Sequence, residues 1–176
     1  MARILLPPLP SEWDVVRCYL EYPHDQRSDR THPALVLKVV PPGSIGNVNA
    51  IVVVAGGTGT YESLNHRRRK IQRGEIPFNL ELCKSAGLIK ETKFCFSEEG
   101  VFAFPWDSEF FRWDAANPTL LGEPIFGRLN IKGTAFERFR DLFLASPELK
   151  ALPSVINNAV RLSVISSFDI RSSTRP

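Results

Sequence analysis

Fourteen prolines and eleven glycines punctuate this chain of 176 residues, and few stretches between them are long. Proline removes a backbone donor and fixes φ, and glycine weakens helix and strand interiors, so a bundle of long helices is disfavoured. What lies between the breaks is rich in β-branched and aromatic residues, the material of short strands. Twelve Phe and three Trp supply large faces for burial. At 43% hydrophobic and 23% charged residues, the composition is that of a globular domain. It excludes wholesale disorder, collagen-like repeats and coiled coils. The length suits one core with appendages.

The net charge of +3, with a sequence pI of about 8.9, is too small an excess to define a nucleic-acid-coating surface, so any such role rests on a local cluster. Cys18, Cys83 and Cys95 are odd in number and lack C-x-x-C spacing. Neither a disulfide framework nor a zinc ribbon is indicated, and buried thiols in a reducing compartment are expected. Pro7, Pro8 and Pro10 break the apolar run that a signal peptide needs. The longest uncharged stretch, Pro41 to Tyr61, is interrupted by glycines and asparagines and does not read as a membrane span. The expectation is a cytoplasmic protein with no membrane partner.

Residues 1–12 read as an extended arm, 13–165 as one domain, and 166–176 as a flexible tail. Asp14 to Leu20 alternates as a first strand, Ala34 to Val40 forms a second closed by Pro41-Pro42-Gly43, and Ala50 to Ala55 is apolar enough for a strand buried on both faces. Ile76 to Leu82 alternates weakly as a fourth strand, with a helical turn at Lys84 to Leu88 stopped by Gly87. Thr92 to Phe96 and Val101 to Phe104 flank Glu98-Glu99-Gly100 and are expected to pair as a hairpin. A further short strand is expected at Ile125 to Leu129. Thr134 is expected to cap a helix whose Phe136, Phe139, Leu142 and Phe143 form one stripe, and a second helix runs from Ser154 to about Val160. Six or so short strands followed by helices predict a mainly β, α+β domain whose sheet curls into a small barrel.

Taken in order, several segments resemble the MazF/PemK-like toxins of bacterial toxin–antitoxin systems. Trp13-Asp14-Val15-Val16 is similar to the family's Gly-Asp-Val-Val opening, with Trp13 in the glycine position. His32-Pro33-Ala34-Leu35-Val36-Leu37 resembles its Arg-Pro-x-Leu-Val-Leu segment, and Ile51 to Ala55 leading into Gly57-Thr58 resembles its buried strand ending in threonine. Ala86-Gly87-Leu88, Thr92-Lys93-Phe94, Phe104-Pro105-Trp106 and Gly127-Arg128-Leu129 resemble a phage- and proteobacteria-associated branch. The likeness spans roughly residues 13 to 130. It implies an SH3-like barrel with C-terminal helices, a homodimer, an acidic antitoxin partner, and an endoribonuclease that cuts single-stranded RNA without metal or cofactor.

Such cleavage needs a base for the 2′-hydroxyl proton, an acid for the leaving 5′-oxygen, and donors or cations on the phosphate. The family positions carry over to His32, which replaces the arginine before the proline, and to Thr58. Arg30, two residues before His32, completes the candidate catalytic set. Arg67, Arg68, Arg69, Lys70 and Arg73 form a basic loop suited to an RNA backbone, or to an acidic antitoxin, or to solvent alone. Trp106, Phe110, Phe111 and Trp113 are read as interface aromatics, with base stacking or packing on their own core as alternatives. Asp107, Glu109 and Asp114 lack histidine neighbours, so no metal site is expected. Two functions remain open on the same barrel: the nuclease, and an interaction module that binds protein or nucleic acid without cutting.

Overall fold

The computed structural model describes residues 8–20, 31–59, 74–113, 123–145 and 147–172. Seven strands form one mainly antiparallel sheet: β1 (Asp14–Cys18), β2 (His32–Val40), β3 (Ile51–Gly59), β4 (Glu75–Phe78), β5 (Thr92–Cys95), β6 (Val101–Pro105) and β7 (Ile125–Arg128). Helix α1 (Leu80–Ser85) follows β4, and α2 (Thr134–Ala145), α3 (Pro147–Lys150) and α4 (Leu152–Ser172) close the chain. The strand order is β4-β5-β3-β2-β1-β7, with β6 also on β3. The fold is thus α+β and dominated by the sheet. Its two outermost strands, β4 and β7, do not pair with one another, so hydrogen bonding does not close it into the expected barrel.

The apolar run of β3 is buried on both faces, as its sequence predicts. Val53 and Ala55 point into one cluster with Val15, Leu35, Phe78, Phe94 and Phe96, which α1, α2 and α4 help to cover. Val52 and Val54 point into a second, with Val16, Cys18, Ala34, Val36, Trp106 and Phe111. Alternation along β1 divides Val15 from Val16 and Cys18 in the same way.

The expected hairpin between the two phenylalanine-rich runs does not form. β5 lies antiparallel to the end of β3 (Gly57↔Phe94, Gly59↔Thr92), and β6 lies antiparallel to its beginning (Ile51↔Pro105, Ala55↔Val101). Both occupy the edge of β3 that β2 leaves free, so residues 96–100 are an excursion within one interrupted strand rather than a reversal. Gly56 N–H donates to the Gly100 carbonyl at 2.8 Å, carrying the ladder across the interruption. β3 offers nine residues to pair, whereas a hairpin would leave half of that edge bare.

Ile76 to Leu82 is likewise not one strand. Asn79 ends β4 by capping α1, its Oδ1 accepting from Leu82 N–H at 2.9 Å. Gly87, at φ +76°, terminates α1: Leu88 N–H reaches back to the Cys83 carbonyl and Gly87 N–H to that of Lys84. At α2 the cap position is held by Gly133, whose carbonyl accepts from Glu137 N–H, rather than by Thr134. Of its expected stripe, Phe136 packs against the first cluster and meets Trp13 edge-on at 5.3 Å. The side chains of Phe139, Leu142 and Phe143 lie outside the described residues. Helix α4 continues to Ser172, well beyond the expected end near Val160.

Candidate functional site

His32 opens β2 and stands opposite Cys18 of β1, while Thr58 lies near the end of β3 opposite Lys93 of β5. The ladder between β2 and β3 pairs Leu35 with Ala55 and Ala34 with Gly56. Continued two residues, this register sets His32 across from Thr58 on the same face of the sheet. The strands do stay close there, because a Cβ added to Gly57 would lie 2.6 Å from the Pro33 carbonyl oxygen and 2.7 Å from the Phe94 ring. Only glycine admits that approach, which is a physical reason for the Gly57-Thr58 sequence. His32 and Thr58 are both half-buried.

Cys18 with His32 and Thr58 with Lys93 are two cross-strand pairs, which the continued register would join into one transverse row over four strands. Lys93 Nζ contacts Glu75 Oε2 at 2.7 Å, and the two side chains are only 7% and 17% exposed. The sequence by itself does not reveal this ion pair. Its signal is a lysine in an otherwise buried strand, Thr92-Lys93-Phe94, but the partner is 18 residues away and only pairing of β4 with β5 brings it in. The row offers an imidazole, a hydroxyl and a neutralised ammonium group, the residue types that phosphodiester chemistry uses for proton transfer and hydrogen bonding.

Arg30 lies outside the described residues, as do Arg67, Arg68, Arg69, Lys70 and Arg73. Of the described residues that bound these stretches, Leu20, Thr31 and Gly59 lie at this end of the sheet, and Gly74 precedes the start of β4.

The aromatic segment closes over its own chain. Trp106 and Phe111 are fully buried in the second cluster, with ring centroids 4.5 Å apart, so neither has a face to offer a partner. Phe110 stacks on Phe104 at 4.7 Å and, with Trp113, packs on that cluster while keeping partial exposure. Asp107 is buried, with Oδ1 accepting from Glu109 N–H at 3.0 Å. Among the described residues no group of three or more His, Cys, Asp or Glu is placed to hold a metal ion, and no helix is long and apolar enough to cross a membrane. All three thiols are unpaired. Burial pushes the Cys18 and Cys83 thiols up, so neither supplies a thiolate near neutral pH. On the opposite face, a cleft of about 410 Å³ lies between the 96–100 excursion and α4, bordered by Glu98, Val101, Asn158 and Arg161.

Compared with family models, curated proteins and solved structures, the chain matches none.

Proposed function

We propose that this chain is a MazF/PemK-like endoribonuclease that cleaves single-stranded RNA without a metal ion, on an SH3-like scaffold. The observation that carries the reading is the β2–β3 ladder, which pairs Ala34 with Gly56 and, continued two residues, would oppose His32 and Thr58, at the end of the sheet where Leu20, Thr31 and Gly59 also lie. A second point supports it: Trp13 adopts φ +74°, a conformation that glycine takes freely, and the family's opening has glycine in that position.

In this reading His32 takes the 2′-hydroxyl proton as the 2′-oxygen attacks phosphorus. Thr58 donates a hydrogen bond to a phosphate oxygen and Arg30 offsets the charge that develops there. The P–O5′ bond breaks, the 5′-oxygen collects a proton from water, and a 2′,3′-cyclic phosphate remains. The proposal includes a homodimer and an acidic antitoxin that docks on the basic segment 67–73. The test is incubation of purified protein with RNA in EDTA. Cleavage leaving cyclic phosphate ends is expected, and His32→Ala should slow it about a hundredfold or more. Activity that survives unchanged in His32→Ala, Arg30→Ala and Thr58→Ala belongs to a contaminant.

The second reading, a module that binds without cutting, draws on His32 standing where the family has arginine. Wild-type protein that binds RNA and leaves it intact would decide for it.

A further inference from the structure

Arg17 and Arg112 are brought together in a way that protein stability alone does not explain. The isolated bridge between Cys18 and Phe111 is antiparallel, and Arg112 N–H donates to the Arg17 carbonyl at 3.0 Å. The two arginines are therefore cross-strand neighbours. Like charges in that relation repel. Both residues are half-buried, and among the described residues neither guanidinium forms an ion pair with a carboxylate. Arg17 is also held in place: its guanidinium carbon lies 3.8 Å from the centroid of the Phe126 ring, and its Nε donates to the Glu123 carbonyl at 3.2 Å. Burial, and secondarily the charge of Arg112, pull the Arg17 pKa down. An anion between the two groups would reverse both costs.

We propose that Arg17 and Arg112 form a phosphate-binding pair that takes a backbone phosphate of a single-stranded RNA. Paired guanidinium groups match the geometry of phosphate oxygens, and the part-exposed ring of Phe126, against which the Arg17 guanidinium lies, adds an aromatic edge for a flanking base. Arg17 faces away from the side of β1 that carries Cys18 opposite His32, so the pair is a contact separate from the proposed cleavage row. The choice of RNA as the anion rests on the function proposed above.

The test uses a 2′-O-methyl oligoribonucleotide, which lacks the attacking hydroxyl, so binding is read whether or not the protein cuts RNA. Affinity is measured against salt concentration for wild type, Arg112→Gln and Arg112→Glu. Loss of one phosphate contact should lower the log–log salt slope by about 0.7. Arg112→Glu, which gives Arg17 a carboxylate partner, should lower it by that full amount, and Arg112→Gln by no more, while Arg112→Glu raises Tm in the absence of ligand. An unchanged slope in Arg112→Glu overturns the proposal, even if RNA cleavage is found. A lower slope in a chain that never cuts RNA upholds it and removes only the nuclease reading. If inorganic phosphate raises the Tm of wild type but not of Arg112→Glu while the oligonucleotide slope stays unchanged, the pair serves a free anion, and the RNA assignment falls.

Discussion

Trp13 holds φ +74° with a side chain that makes this conformation costly, by roughly 1–3 kcal/mol for a non-glycine residue. Its backbone is fixed from both sides, N–H to the Val36 carbonyl and carbonyl to Leu129 N–H, while its ring meets Phe136. Replacing the side chain loses the ring contact, but glycine removes the strain and alanine keeps it. Trp13→Gly should therefore be more stable than Trp13→Ala by about 1 kcal/mol in urea unfolding, the reverse of the usual order in a strand. Equal stabilities would show that the site carries no strain. Cys18 makes a second prediction, in pH. Burial raises its folded pKa above the unfolded value of about 8.5, so the stabilisation it gives is fully present below that pH and is lost as the pH rises beyond it. From pH 8.5 upward, wild type should lose up to about 1.4 kcal/mol per pH unit relative to Cys18→Ala. Parallel curves for the two proteins would contradict it.

The pairing of β4 with β5 depends on Phe78 and Phe94, whose rings lie 4.8 Å apart, and on the ion pair of Lys93 with Glu75 on the opposite face. A buried ion pair is weak evidence of net stabilisation, yet removing one partner strands the other charge. Glu75→Ala should cost about 3 kcal/mol, and the double variant Glu75→Ala/Lys93→Met should recover most of it. A double variant as unstable as the single one would indicate that the strand edge itself, and not the stranded ammonium group, is the source of the loss. Were Lys93 also to act on RNA, the recovered double variant would remain folded and lose binding, which the salt titration described above can read.

At the scale of the whole molecule, one sheet is shared by two clusters, and α4 belongs to the first of them. Leu152 and Val155 are buried there, and Ile156, Ala159 and Val160 pack against it. At about 1.5–3 kcal/mol for each fully buried aliphatic side chain, the loss of Leu152 and Val155 alone is comparable to the stability of a small domain. A chain ending at Lys150 should fail to unfold cooperatively, whereas Leu162→Ala, an exposed position on the same helix, should leave Tm within a degree or two. Cooperative melting of the truncated chain would make α4 an appendage to a sheet that is stable without it.

Local physics was legible wherever one stretch of chain settled its own conformation. Ile51 to Ala55 could only be a strand buried on both faces, Pro41-Pro42-Gly43 could only end β2, and Phe136 could only face a core. The opposition of Thr58 to His32 could be anticipated from the order of the segments, since consecutive antiparallel strands bring their distant ends together. The remainder depended on competition between segments far apart in sequence. Residues 92–96 and 101–104 have the pattern of a hairpin, but the free edge of β3 offered both runs a longer ladder and won. The aromatic run from Trp106 to Trp113 could cover a partner or its own sheet equally well by composition, and Cys18, Val16 and Ala34 took Trp106 and Phe111. The Lys93–Glu75 pair and the apposition of Arg17 with Arg112 exist only through strand pairing, because charge at a single position carries no information about which charge will face it.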